Sequence, residues 1–243
     1  MESPSGYINK IKNSLKYENR FIVDKKFNEL LDSICKDYEE ILQKGQTKLF
    51  RARIYNQLDA YEKYRNYVSE IFEGYDEEGS FVNKNYLAIS DGRVNPSGIP
   101  YLYTSCDIDT CIKEVKPYAD SAVSVAGIEM EENLKIVDLC CNFGCDSDSW
   151  IAEFKMLLCS AFSKPIHEKG DYLLSQYISE YIKNNNYDGI GFLSAFTTYG
   201  NYNRTDEGRN ITIFNYEKCR AIDSKLYRIS KVNIDYVSYG KGI

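Results

Sequence analysis

Residues 91–117 read DGRVNPSGIPYLYTSCDIDTCIKEVKP, a tight turn, a short strand and a helix in one unbroken run. Asn95-Pro96-Ser97-Gly98 carries turn chemistry, since proline presets one φ and glycine accepts a positive one. Pro100 to Thr104 then alternates, so that Tyr101 and Tyr103 share one face of a strand and Leu102 takes the other. Ser105 or Asp107 is suited to cap the helix that follows, and Pro117 ends it. On that helix Ile108, Cys111, Ile112 and Val115 fall at helical spacing. Glu114 lies at the edge of this apolar stripe, where a carboxylate can face a cleft instead of bulk water.

On the N-terminal side, Thr47 to Ile54 (TKLFRARI) alternates as a strand, with Leu49, Arg51 and Arg53 on one face. Two guanidinium groups on one strand face suit an anionic ligand, and they equally suit an ion pair or an exposed face. Residues 1–46 are expected to form a helical extension. Asp24 caps a stripe of Phe27, Leu30, Leu31, Ile34, Cys35, Tyr38, Ile41 and Leu42, and Gly45 stops it. A further helix is expected over residues 58–75. On the C-terminal side, strands are expected over 122–129, 134–139, 188–196, 210–215 and 225–237, and helices over 150–162 and 172–183. Ser194 is the odd polar member of the row Ile190, Phe192, Ser194, Phe196, and a polar group so placed needs a partner.

At 243 residues the chain can bury a substantial core. Its 43% hydrophobic and 27% charged content is that of a globular protein. A net charge of −6 argues against general nucleic-acid binding, which requires a basic surface. No run approaches the roughly 20 apolar residues of a membrane span. The N-terminus lacks a basic-then-apolar signal layout, so a cytoplasmic location is expected. In that compartment the eight cysteines stay reduced. Cys141/Cys145 and Cys106/Cys111 are only loosely spaced like zinc pairs, and the sole histidine, His167, has no metal motif around it, so no metal is expected.

Together LFRARI (49–54), GRVNPSGIPYLY (92–103), DTCIKEVKP (109–117), DGIGFLSAF (188–196) and GRNITIF (208–214) resemble the RES domain family, named for Arg, Glu and Ser. The likeness covers about residues 47–220. Its central motif is an arginine, a tyrosine ten residues on and a glutamate eleven beyond, here Arg93, Tyr103 and Glu114, with Ser194 where the family serine is expected. One departure is Lys116 in EVKP, where many longer relatives would have arginine.

The resemblance implies an α+β fold similar to ADP-ribosyltransferases: a central mixed or antiparallel split β-sheet flanked by helices, over residues 47–243, behind the extension at 1–46. It also implies NAD as substrate, cleaved at the nicotinamide–ribose bond by water or by inorganic phosphate as co-substrate. Transfer of ADP-ribose to a protein is the alternative, and a catalytically lapsed NAD sensor or interaction module the third. In that picture Arg93 with Arg51 and Arg53 holds the pyrophosphate. Tyr103, with Tyr101 behind it, contacts nicotinamide, Glu114 serves the ribose, and Ser194 orients a neighbour. Each of these residues also has a bland structural reading; the functional one rests on the set. The family supplies bacterial toxins, which implies a cognate antitoxin or regulatory partner. The apolar stripe over 27–42 is compatible with a homo-oligomer.

Overall fold

The computed structural model describes residues 2–55, 74–140, 149–163, 169–196 and 207–233. In chain order these form α1 (Pro4–Tyr17), α2 (Lys25–Asp37), β1 (Glu39–Leu42), β2 (Leu49–Ile54), α3 (Glu77–Ser80), β3 (Leu102–Ser105), α4 (Ile108–Glu114), β4 (Ala122–Met130) and β5 (Leu134–Asp138). There follow α5 (Ser149–Ser163), α6 (Leu173–Asn184), β6 (Gly189–Leu193), β7 (Arg209–Ile213) and β8 (Cys219–Arg228). Most of the helix expected over 58–75 lies outside the described residues.

The strands make one mixed sheet in the order β1-β5-β6-β7-β3-β2-β4-β8. Among the described residues every neighbouring pair is antiparallel except β5–β6, whose crossover contains α5 and α6. The sheet is split in its middle: β2 meets β3 only at Phe50 opposite Ser105, whereas β2–β4 and β3–β7 pair along their lengths. Strand alternation feeds two cores. Tyr101, Val137, Ile190, Phe192 and Phe214 face α1, α2, α5 and α6, while Leu102, Ile136, Ile211 and Ile213 face the other side with Leu49 and Val82.

The N-terminal helices belong to the first of these cores. Asp24 caps α2 through the Phe27 amide (2.8 Å) and takes the Tyr7 hydroxyl from α1 at the same distance. Phe27, fully buried, packs its ring against Tyr7, Phe154 and Tyr177.

Two expectations need correction. The helical stripe does not run to Leu42: α2 stops at Asp37, and β1 pairs antiparallel with β5. Ile41 and Leu42 suit either period, but Leu42 is buried and Ile41 exposed, the alternation of an edge strand whose pairing satisfies β5. The closing strand likewise begins at Cys219 rather than at 225 and ends at Arg228, opposite Ala122, the first residue of β4. Residues 234–237 of that expectation lie outside the described residues.

Candidate active site

Glu114 is the last residue of α4, and the chain fixes that helix at its start. Asp107 is the cap: its Oδ1 accepts from the Thr110 amide at 2.7 Å, a contact worth about 1 kcal/mol. Its Oδ2 accepts from the Gly208 amide at 3.0 Å, and the Gly208 carbonyl accepts from Ser194 N at 2.8 Å. Gly208 has φ +77°, a conformation suited to glycine. One short path of bonds therefore ties α4, the lead-in to β7 and the end of β6 together. Past Glu114 the helix stops, with Lys116 at φ +49°.

That tie brings two donors onto one carboxylate oxygen. Ser194 Oγ and Asn210 Nδ2 each donate to Glu114 Oε1 at 2.6 Å. Ser194 and Asn210 are 4% and 6% exposed, whereas Glu114 itself is exposed. Ser105 Oγ donates to Asn210 Oδ1 at 2.6 Å, and the Phe196 amide donates to Ser194 Oγ at 3.1 Å. The register explains the assembly: Ser105, Asn210 and Phe192 form one cross-sheet row, and Ser194 continues its face two residues past Phe192. Ser194 lies just beyond β6, not within a strand reaching 196, and Phe196 is exposed.

Tyr103 stands in the next row, opposite Thr212. Its hydroxyl donates to Asn95 Oδ1 (2.7 Å) and accepts from the Val94 amide (3.1 Å). Burial pushes the phenol up to about 12, against the pull of the Val94 and Asn95 backbone and of Arg93. The loop carrying Arg93 is clamped from α6. Gln176 Nε2 donates to the carbonyls of Gly92 (2.8 Å) and Asn95 (3.1 Å), and Ser175 Oγ donates to that of Arg93 (2.6 Å). Arg93 Nη1 reaches the Ala161 carbonyl at 3.4 Å, at the end of α5. Burial lowers the Arg93 guanidinium from its ordinary range, and Tyr172, Glu114 and Tyr103 act in the opposite sense. Arg93, Tyr103 and Glu114 thus share one electrostatic neighbourhood.

The other expected residues have partners of their own. Arg51 Nη1 donates to the Tyr103 carbonyl at 3.0 Å, on the side where the split leaves β3 without β2. Burial, with Arg53 adding to it, lowers Arg51 to about 10. Arg51 Nε is buried without a hydrogen-bond partner. Arg53 Nη1 donates to the Gly79 carbonyl, and its guanidinium lies over the Tyr75 ring. Tyr101 donates its hydroxyl to Glu180 on α6 and packs on Phe214 beneath Lys183. All three hold structure with the groups described.

Asn210 is a member of this cluster that the sequence expectations do not contain. Its signal is readable: it is polar at an inward position of an apolar strand, the same cue that singles out Ser194. Among the described residues no group of three or more His, Cys, Asp or Glu could hold a metal ion, and no helix is long and apolar enough to cross a membrane.

A family model described as RES domain matches residues 73–234, more than half of the chain; β2, with Arg51 and Arg53, precedes the matched stretch. No curated protein matches. Among solved structures, a chain of the crystal structure of the M. tuberculosis MbcT–MbcA toxin–antitoxin complex matches at 13% identity and a TM-score of 0.46, covering 85% of this chain and 94% of that one.

Proposed function

The chain belongs to the RES domain family, and from that premise we propose that it consumes NAD by breaking the nicotinamide–ribose bond. The observation that carries this reading is the grip of Ser194 and Asn210 on Glu114 Oε1, and the charge of Glu114, with that of Tyr103, acting to raise the Arg93 guanidinium supports it. Glu114 Oε2 has no hydrogen-bond partner among the described residues and is available to a ribose hydroxyl.

Cleavage builds positive charge on the ribose, as in glycosidases. Nicotinamide leaves as a neutral base, taking the bond's electron pair, so no general acid is required. Water then adds to the ribose carbon and loses a proton, giving ADP-ribose; phosphate in its place gives ADP-ribose 1-phosphate. Glu114 stabilises the developing cation and orients the sugar. Arg93 holds the pyrophosphate, and the Tyr103 ring borders nicotinamide. Ser194 orients Glu114 and is not the nucleophile, since its hydroxyl proton is committed to that carboxylate. Arg51 and Arg53 support the reading from behind, by fixing backbone around the split, and Tyr101 by anchoring β3 to α6.

Hydrolysis or phosphorolysis is preferred to protein modification, and the cellular consequence is NAD depletion, the growth-inhibiting role of a toxin held in check by a cognate antitoxin. The test is product analysis: purified protein with NAD, in parallel with water alone, inorganic phosphate and cell lysate. Free nicotinamide with ADP-ribose or its 1-phosphate supports depletion and separates its two forms. A labelled protein band with little free ADP-ribose would replace depletion by ADP-ribose transfer. NAD bound without turnover would leave a sensor.

A further inference from the structure

We infer that Asn210, locked by Ser105, is a positioning residue for Glu114: it selects Oε1 as the anchored oxygen and presents Oε2 to the substrate. The inference rests on the NAD-cleaving reading of the same site and adds a residue that the Arg–Glu–Ser set does not contain.

Three observations carry it. First, the amide has one usable orientation. Ser105 Oγ donates to Asn210 Oδ1, so the Nδ2 hydrogens must face Glu114. Second, rigidity lies on the donor side. Ser105, Asn210 and Ser194 are 3%, 6% and 4% exposed, on strands or strand ends, while their common acceptor is an exposed side chain at a helix end. A buried asparagine serving only the sheet would be expected to satisfy backbone groups; this one spends its donor on a surface carboxylate. Third, Glu114 lies at the carboxyl end of α4, where helix carbonyls disfavour a negative charge. The two donors offset that placement and hold the carboxylate in one rotamer. A two-point grip also explains why Ser194 alone would not suffice: one hydrogen bond leaves the carboxyl free to rotate about it.

The experiment measures kcat and KM for NAD, through nicotinamide release, in full-length wild type and in Asn210→Leu, Asn210→Asp and Ser105→Ala, with melting temperatures alongside. In Asn210→Leu, kcat is expected to fall about thirtyfold or more, with KM changed less than about threefold. Ser105→Ala, which unlocks the amide without removing it, is expected to lose several-fold in kcat. Asn210→Asp sets a second carboxylate against Oε1, and the pair takes up a shared proton. The introduced carboxyl can donate to Glu114 only while it carries that proton. The ratio of variant to wild-type kcat should therefore rise as pH falls from about 8 to about 5.5. A merely structural asparagine would show no such pH-dependent rescue. Unchanged kcat in folded Asn210→Leu and Ser105→Ala, or a pH-independent ratio for Asn210→Asp, overturns the inference while the wild type still turns over NAD. A wild type that releases no nicotinamide with any acceptor removes the functional reading, and this inference with it.

Discussion

Gly92 lies so near Tyr103 that a Cβ on the glycine would stand 2.7 Å from the phenol oxygen and 2.5 Å from Asn95 Oδ1. The loop before β3 is therefore wrapped around the tyrosine hydroxyl, and Arg93 takes its place from that wrapping. Gly92→Ala has to push the phenol or Asn95 aside. It is expected to cost about 1–3 kcal/mol and to lower nicotinamide release by an order of magnitude or more. Thermal melting and a turnover assay on the same sample check it.

Tyr103→Phe leaves the Val94 amide and Asn95 Oδ1 without their partner, a loss of about 1–3 kcal/mol at neutral pH. The variant also has a pH signature. Burial raises the Tyr103 phenol to about 12 in the folded protein, above an unfolded value of about 10. Its contribution is complete below about pH 10 and is lost as pH rises towards 12. The stability difference between wild type and variant, followed by urea unfolding, should shrink across that window. A constant difference would show that the phenol titrates alike folded and unfolded.

Arg93→Lys keeps the charge and loses the planar fork. We expect KM for NAD to rise at least about tenfold with a smaller change in kcat, because the pyrophosphate is held less well in ground and transition states alike. Equal KM values would move the phosphate grip to another residue.

The sequence predicts an extension over residues 1–46, and we propose that these residues are an integral layer, since α1 and α2 share a core with α5, α6 and the sheet. Phe27→Ala should cost about 3–5 kcal/mol, and deletion of residues 1–46 should yield no cooperatively melting protein. A truncated chain that melts cooperatively and turns over NAD would restore the division at residue 46.

Much of the candidate site is legible in sequence because its parts are local or patterned. Arg93, Tyr103 and Glu114 sit within one turn–strand–helix unit, and Ser194 betrayed itself as a polar residue in an apolar row. Asn210 carried the same cue, but its partner is 96 residues away and only the β3–β7 register brings the two together. The arginines of β2 are ambiguous in sequence for a physical reason: a guanidinium fits an exposed anion and a stranded backbone carbonyl equally well, and only the structure shows Arg51 on the Tyr103 carbonyl. The change from helix to strand after Asp37 was hidden because Ile41 and Leu42 satisfy both periods.

Glu114→Gln tests the central claim most directly. The glutamine oxygen can still accept from Ser194 and Asn210, so the fold and the melting temperature should be kept, while the charge that stabilises the ribosyl cation is gone. With saturating NAD, nicotinamide release is expected to fall at least about a hundredfold below wild type. Release at the wild-type rate from folded Glu114→Gln would remove the carboxylate from the chemistry and contradict the account.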